Sequence, residues 1–402
     1  MEVKAPSWLN AELLQTALKS ASDPDPKVIS FEVKNATAAG DNYSSDMYRV
    51  KVNYTQGDTA KTTSVIVKVA KHFDIFDKIS TELNPFQREI NVFTHILPYL
   101  QDFLRDIFPG KFQPFGANLL HSSNELSTTY LIMEDLKESG FKIAERMRGL
   151  DMNHSLLVMK NLGRYHAASV VLHEKQPEKL RYFMESFYNP SNKDMMDKFY
   201  NGILRNVARE VETWPDYKER FASKLHKLAD DPFMHCVNAV KRDEEEFNVL
   251  CHGDLWLNNM MFRYSEETGE VVDVRFVDYQ IGYWTSPAVD LQYFFHTSVS
   301  TDLIDKRHVL IQEYYNSLTD TLTKLGYKHL QPTMSQLEKQ LNKRGLHAVM
   351  TSTTALPIII VDKINAPDIN ELINKGNKIH LSEAYNSAMK KFLPVFEERG
   401  WI

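Results

Sequence analysis

Three oxygen-bearing side chains lie close together in the sequence. Asp254 sits in the run Leu250-Cys-His-Gly-Asp-Leu-Trp-Leu-Asn-Asn259, with Asn259 five residues further on. A short apolar run follows Asn259, then the turn-rich Ser265-Glu-Glu-Thr-Gly269, then an alternating run, Val271 to Val277, that ends in Asp278. Two such runs flanking a turn pair as an antiparallel hairpin. Pairing brings the start of the first strand beside the end of the second, so Asn259 and Asp278 meet at the hairpin's open end. Asp254 lies in the loop leading into that same end. Carboxylate, amide and carboxylate oxygens suit a hard cation such as Mg²⁺. They do not suit zinc, which takes imidazole and thiolate ligands at defined spacing. Phosphoryl transfer needs such a set: one carboxylate to take the attacking hydroxyl's proton, and an Asn and a second Asp to hold the metal on the nucleotide phosphates. The bland alternative is a loop capped by Asp254 with Asn259 opening a plain hairpin. His252 reads as a brace for the loop rather than as an acid–base residue.

A phosphate cation is expected upstream. Lys68 lies inside the apolar strand Val65-Ile-Val-Lys-Val-Ala70, where an unpaired ammonium is costly. A Lys on such a strand, partnered by a helical Glu, follows the kinase pattern. Glu89 is the partner chosen, with Glu82 as the alternative; a Lys snorkelling from an edge strand is the structural alternative. The turn before the preceding strand, Ala38 to Ser45, is expected to cover phosphates through Gly40, Ser44, Ser45 and backbone N–H groups. With one Gly it is no Gly-rich fingerprint. The strand Thr129 to Met133, running into Glu134-Asp-Leu136, is expected to form a hinge whose backbone at Glu134 and Leu136 meets the base.

These residues need a scaffold. The chain has 402 residues, 43% hydrophobic and 25% charged, with a formal charge of −6. That composition belongs to a globular protein and argues against nucleic-acid binding through a broad basic face. Two cysteines preclude a disulfide framework and point to a reducing compartment, the cytosol. The N-terminal MEVKAPSWLN lacks the apolar stretch of a signal peptide, and no run is long enough to span a membrane. The sequons at Asn35, Asn42, Asn53 and Asn153 are read as chance matches. Strand patterns dominate up to residue 135: Phe31 to Lys34, then a hairpin of Tyr48 to Tyr54 with Ser64 to Ala70. A helix over Ala11 to Ser20 precedes them, and helical spacing runs from Phe86 to Leu100. Helical periodicity dominates afterwards, around the strand island at 248–295. The expected fold is α+β and bilobal: a β-rich nucleotide lobe over 1–135 and a mostly helical lobe over 136–402 with the catalytic loop and acceptor pocket.

The chain resembles the protein-kinase-like superfamily of small-molecule kinases, with its aminoglycoside phosphotransferases and choline kinases. More narrowly it resembles the insect ecdysteroid-kinase-like family. The resemblance rests on Gly40-Asp-Asn-Tyr43, Val67-Lys-Val69, Glu134-Asp-Leu136, Leu162-Gly-Arg-Tyr-His-Ala167, His252-Gly-Asp-Leu-Trp-Leu-Asn-Asn259, and Val277-Asp-Tyr-Gln280 continuing to Asp290-Leu291. It implies ATP in an interlobe cleft, Asp254 as catalytic base, Asn259 and Asp278 as Mg²⁺ ligands, Lys68 on the phosphates, and Asp290 bracing the catalytic loop. It also implies a small hydroxylated acceptor, often steroidal. Gly253 stands where protein kinases carry Arg, Gln280 replaces the Gly of their metal motif, and little chain follows Asp278 for a peptide platform, so a protein substrate is not expected. The acceptor pocket is expected among the helices between 137 and 248 and after 296, where aromatics such as Phe183, Phe187, Tyr188, Trp214 and Tyr293 to Phe295 are more often core than pocket.

Overall fold

The computed structural model describes residues 6–20, 25–36, 45–70, 84–110, 112–125, 128–361 and 379–402. A five-stranded antiparallel sheet opens the chain, in the order β1 (Lys27–Asn35), β2 (Ser45–Gln56), β3 (Thr59–Ala70), β5 (Thr128–Glu134), β4 (Leu119–Glu125). Helix α1 (Ala11–Leu18) covers one face, packing Leu9 and Leu14 against Val50, Val52, Val65, Val67 and Ile132. Alternation along β3 sends Val65 and Val67 to that face and Ile66 and Lys68 to the other. Ile66 joins a separate core with Leu131, Met133, Ile90 and Phe93. The parity that fills both cores thus aims Lys68 away from α1 and toward the next helix.

That helix, α2 (Pro85–Asn91), starts with Pro85 in its first turn and with the Asn84 side chain accepting from the Gln87 N–H at 3.1 Å. A single wide π-turn, Val92–Ile96, joins it to α3 (Leu97–Ile107). The spacing from Phe86 onward therefore holds, with one inserted bulge.

The rest is largely helical. Helix α4 (Met152–Lys175), capped by Asp151 on the His154 N–H at 3.0 Å, is buried along much of its length. It packs against α8 (Arg307–Lys324). Between them come α5 (Lys193–Glu212), α6 (Pro232–Val240) and α7 (Ala288–Thr297). The two long helices touch at Gly163, where a Cβ would lie 2.8 Å from the Tyr314 carbonyl oxygen and 2.9 Å from Ser317 Cβ. Gly163→Ala is accordingly expected to destabilise the fold by about 1–3 kcal/mol, the range for overpacking a close contact. Chemical denaturation measures this, and an unchanged midpoint would show that the helices yield at no cost.

Two small sheets carry the central loop. β7 (Val249–Cys251) pairs with β10 (Tyr283–Thr285), and β8 (Met260–Tyr264) pairs with β9 (Val271–Phe276) and with β6 (Lys142–Ile143). Met260 lies opposite Phe276, and the Val277 N–H donates to the Asn259 carbonyl at 2.9 Å. The hairpin expected from sequence is present, with its open end where Asn259 and Asp278 were expected to meet. Among the described residues no helix is long and apolar enough to cross a membrane.

Candidate active site

Lys68 is 3% exposed and lies between two carboxylates: Glu89 Oε2 at 2.6 Å and Asp278 Oδ1 at 3.0 Å. Burial works against the ammonium, but Asp278 and Glu89 outweigh it and hold Lys68 above its ordinary pKa. Glu89 is therefore the partner. Glu82, the alternative, lies outside the described residues. One side chain links the sheet, α2 and the segment after β9. The Gln280 amide also donates to Glu89, at 3.3 Å, so the residue in place of the usual Gly extends the network.

Helix α2 is fixed from its other side. Arg88, 6% exposed, donates to the Gly282 carbonyl at 3.0 Å and to the Glu185 carbonyl at 2.8 Å. Burial lowers its guanidinium to about 10, still charged at neutral pH.

Asp254 and Asn259 face each other across the loop. The Asn259 Nδ2 donates to Asp254 Oδ2 and to the Asp254 carbonyl, both at 2.9 Å. Tyr293 Oη donates to Asp254 Oδ1 at 2.7 Å. Burial pushes the Asp254 carboxyl up to about 6; nearby Asp278 adds to this, and the hydrogen bonds from Tyr293 and Asn259 oppose it. Asp278 has a left-handed backbone, φ 66, uncommon for a residue with a side chain and often found where function fixes the geometry.

The loop is suspended from Asp290 on α7, fully buried. Its carboxylate accepts from the backbone N–H groups of His252 at 2.7 Å and Gly253 at 2.9 Å, and meets His166 Nε2 at 3.1 Å. The His252 ring spans the loop, with Nε2 3.1 Å from the Val277 carbonyl and Nδ1 accepting from the Asp254 N–H at 3.3 Å. It braces, as its position suggested. Gly253 has φ 83, and a Cβ there would lie 2.5 Å from the Ile281 carbonyl oxygen. No side chain fits, which accounts for the missing Arg. His166, Cys251 and Asp290 place ligand atoms within 4.8 Å of one another. They form no open metal site: His166 also meets the Tyr314 hydroxyl at 2.8 Å, and Cys251 donates to the Ser286 carbonyl at 3.4 Å.

A cavity of about 810 Å³ lies between the lobes. Lys68, Glu89, Asp254, Asn259 and Asp278 line it together with Glu134 and Leu136, the residues expected from sequence at a hinge. Ile66 forms apolar wall on the sheet side, Met261 and Val277 on the helical side. At its margin the Arg49 Nε donates to Asp135 Oδ2 at 2.6 Å, where Ser64 also donates at 2.7 Å, tying β2 to the segment that follows β5. The Glu134 side chain turns to Ser139 at 2.6 Å and Asn118 at 2.9 Å. Gly40 and Ser44 lie outside the described residues. Ser45 opens β2, is 2% exposed, and is not part of the cavity lining. Tyr293, Arg88 and Arg49 were not singled out as site residues from sequence. Only Tyr293 left a signal, three residues after Asp290 and so on the same helical face.

The sheet, the helical lobe and a lysine-centred cleft define a bilobal, kinase-like fold. The chain belongs to the ecdysteroid kinase-like family, which it matches over residues 39–327. It is also similar to a Caenorhabditis elegans protein described as the uncharacterized oxidoreductase dhs-27, at 22% identity over 358 residues. That alignment covers 85% of this chain and 41% of the relative, so the chain spans less than half of that protein. Among solved structures it is similar to a Plasmodium vivax ethanolamine kinase, at 12% identity and TM-score 0.41, over 92% of this chain and 83% of that one. A GDP complex of a mutant aminoglycoside 2'-phosphotransferase-IIIa matches at 12% identity and TM-score 0.42, over 92% and 95% of the two chains.

Proposed function

We propose that the protein is an ATP- and Mg²⁺-dependent kinase that phosphorylates a hydroxyl of a small, lipophilic alcohol such as an ecdysteroid or related steroid or xenobiotic. The observation that carries this is Lys68, held at 2.6 Å from Glu89 and 3.0 Å from Asp278, in one cavity with Asp254 and Asn259. A planar base fits between Ile66 and Met261, with the backbone of Glu134 and Leu136 as hydrogen-bond partners. Lys68 faces the phosphates. Asp254 takes the acceptor hydroxyl's proton as the alcohol oxygen bonds to the γ-phosphorus and the bond to the departing ADP oxygen breaks. Asp278 and Asn259 would hold Mg²⁺. The Asn259 side chain donates through Nδ2 to Asp254, so its amide oxygen complements the Asp278 carboxylate as a hard donor. An ion held by these two residues would supply charge neutralisation for the transferring phosphoryl group. Gly40 and Ser44, which precede β2 in sequence and lie outside the described residues, are further phosphate contacts in this proposal. Ser45 contributes at most through backbone, since its side chain is buried. The lobes divide near residue 135, and the setting is the cytosol, without nucleic-acid, membrane or protein partners as substrates.

The test is to incubate the purified protein with Mg²⁺–ATP and a panel of ecdysteroids, sterols, glycosides and amino alcohols. Mass spectrometry then reads the gain of one phosphate. Phosphorylation confined to amino alcohols or sugars would replace the lipophilic acceptor with one of those classes. ATP binding with no phosphorylated product across the panel would make the protein a non-catalytic binder. Lys68→Met is expected to lower kcat/KM for ATP by about 10- to 100-fold, the equivalent of one charge-assisted hydrogen bond. Steady-state kinetics in ATP reads this, and an unchanged kcat/KM would remove Lys68 from the phosphates.

A further inference from the structure

We infer that Tyr293 is a positioning residue for Asp254, an inference that rests on the function proposed above. Helix α7 holds the catalytic loop at two points. Asp290 takes the backbone N–H groups of His252 and Gly253 at 2.7 and 2.9 Å. Tyr293, one turn later on the same face, donates its hydroxyl to Asp254 Oδ1 at 2.7 Å. The first contact fixes where the loop backbone runs. The second fixes how the carboxylate is turned.

The rotation matters because the other carboxylate oxygen is engaged too. Asp254 Oδ2 accepts from Asn259 Nδ2 at 2.9 Å. A carboxylate held at both oxygens has one orientation, and Asp254 lines the cavity in that orientation. Tyr293 is itself held: its ring stacks on His347, centroids 6.2 Å apart and planes 22° apart, and His347 is 2% exposed. The phenol hydroxyl thus has little freedom. Removing it frees one end of the carboxylate, leaves the Asn259 contact in place, and leaves Lys68, the hinge and the cavity walls untouched. The expected signature is a loss in the chemical step without a loss in nucleotide binding.

The test compares Tyr293→Phe with Asp254→Asn, using Mg²⁺–ATP and the alcohol that the acceptor panel yields, and crystal structures of wild type and Tyr293→Phe. Expected for Tyr293→Phe are a kcat lower by about 10- to 100-fold, an unchanged KM for ATP and an unchanged melting temperature. A Tyr293→Phe kcat within twofold of wild type, beside an inactive Asp254→Asn, overturns the inference and leaves the proposed function standing. An Asp254→Asn variant as active as wild type overturns the function instead. Parallel losses of nucleotide affinity and melting temperature would make Tyr293 a packing residue and also overturn the inference. The crystal structure reads the same point without turnover. A carboxylate rotated away from its wild-type orientation supports the role, and one unmoved refutes it.

Discussion

Asp254→Asn is expected to lower kcat by about 10²- to 10⁴-fold, the usual contribution of a positioned general base. KM for ATP should change little, because Lys68 and the hinge are untouched. Two features of the carboxyl set the size of the effect. Its pKa of about 6 leaves it ionised in most molecules at neutral pH, yet close enough to that pH to be an effective proton acceptor. It is also held at both oxygens, by Tyr293 and Asn259, so the basic group is already oriented. An amide has the same shape but cannot take the proton. Its NH₂ also meets one of two donors that the carboxylate satisfied. Single-turnover phosphorylation of the identified acceptor gives the measurement. A variant within tenfold of wild type would mean that the proton goes elsewhere.

The largest stability effect is expected at Asp290. Asp290→Ala removes a fully buried carboxylate that accepts two backbone N–H groups and meets His166. Both loop donors lose a buried partner, and the imidazole keeps only the Tyr314 hydroxyl. The expected cost is about 3–5 kcal/mol, the range for deleting one member of a buried charged network. Burial alone would raise this carboxyl, but His166 and the Gly253 N–H hold it below the ordinary value. A depressed folded pKa gives stability that is fully present above the unfolded pKa and lost as pH falls through the folded one. The gap between wild type and variant should therefore be full at neutral pH and shrink in acid below the ordinary carboxylate range. Urea denaturation across that range reads both. A neutral-pH difference under about 1 kcal/mol would show that the loop does not depend on Asp290.

Much of the cleft could be read before any coordinates. The β8–β9 hairpin follows from alternation around a turn, and pairing then dictates that Asn259 and Asp278 converge. Lys68 was legible because a cation inside an apolar strand needs an anion, and strand parity decides which side supplies it. The sheet was less legible at its edge. β4 reads Leu-Leu-His-Ser-Ser-Asn-Glu, without clean alternation, since it is half exposed. β7 and β10 are three residues each, too short for periodicity to register. The side chains that turn a loop into a site were mostly hidden, for a different reason. Arg49 meets Asp135 across 86 positions, and Arg88 meets Gly282 across 194. Such contacts depend on how lobes and helices dock, which local pattern does not encode. Tyr293 is the exception, at helical spacing from Asp290, yet in sequence it reads with its neighbouring aromatics, which are more often core than pocket.

Arg88 has a consequence for control. In a kinase switched by its helix, the lysine–glutamate pair opens when that helix swings out. Here the swing must also pull a buried guanidinium off two carbonyls, those of Gly282 and Glu185. At about 1.5–3 kcal/mol for each charged hydrogen bond, the parted conformation is held to about 1% of molecules or fewer. The Lys68–Glu89 pair is therefore held closed at rest. Under the function proposed above, no signal that unlatches α2 is needed before turnover.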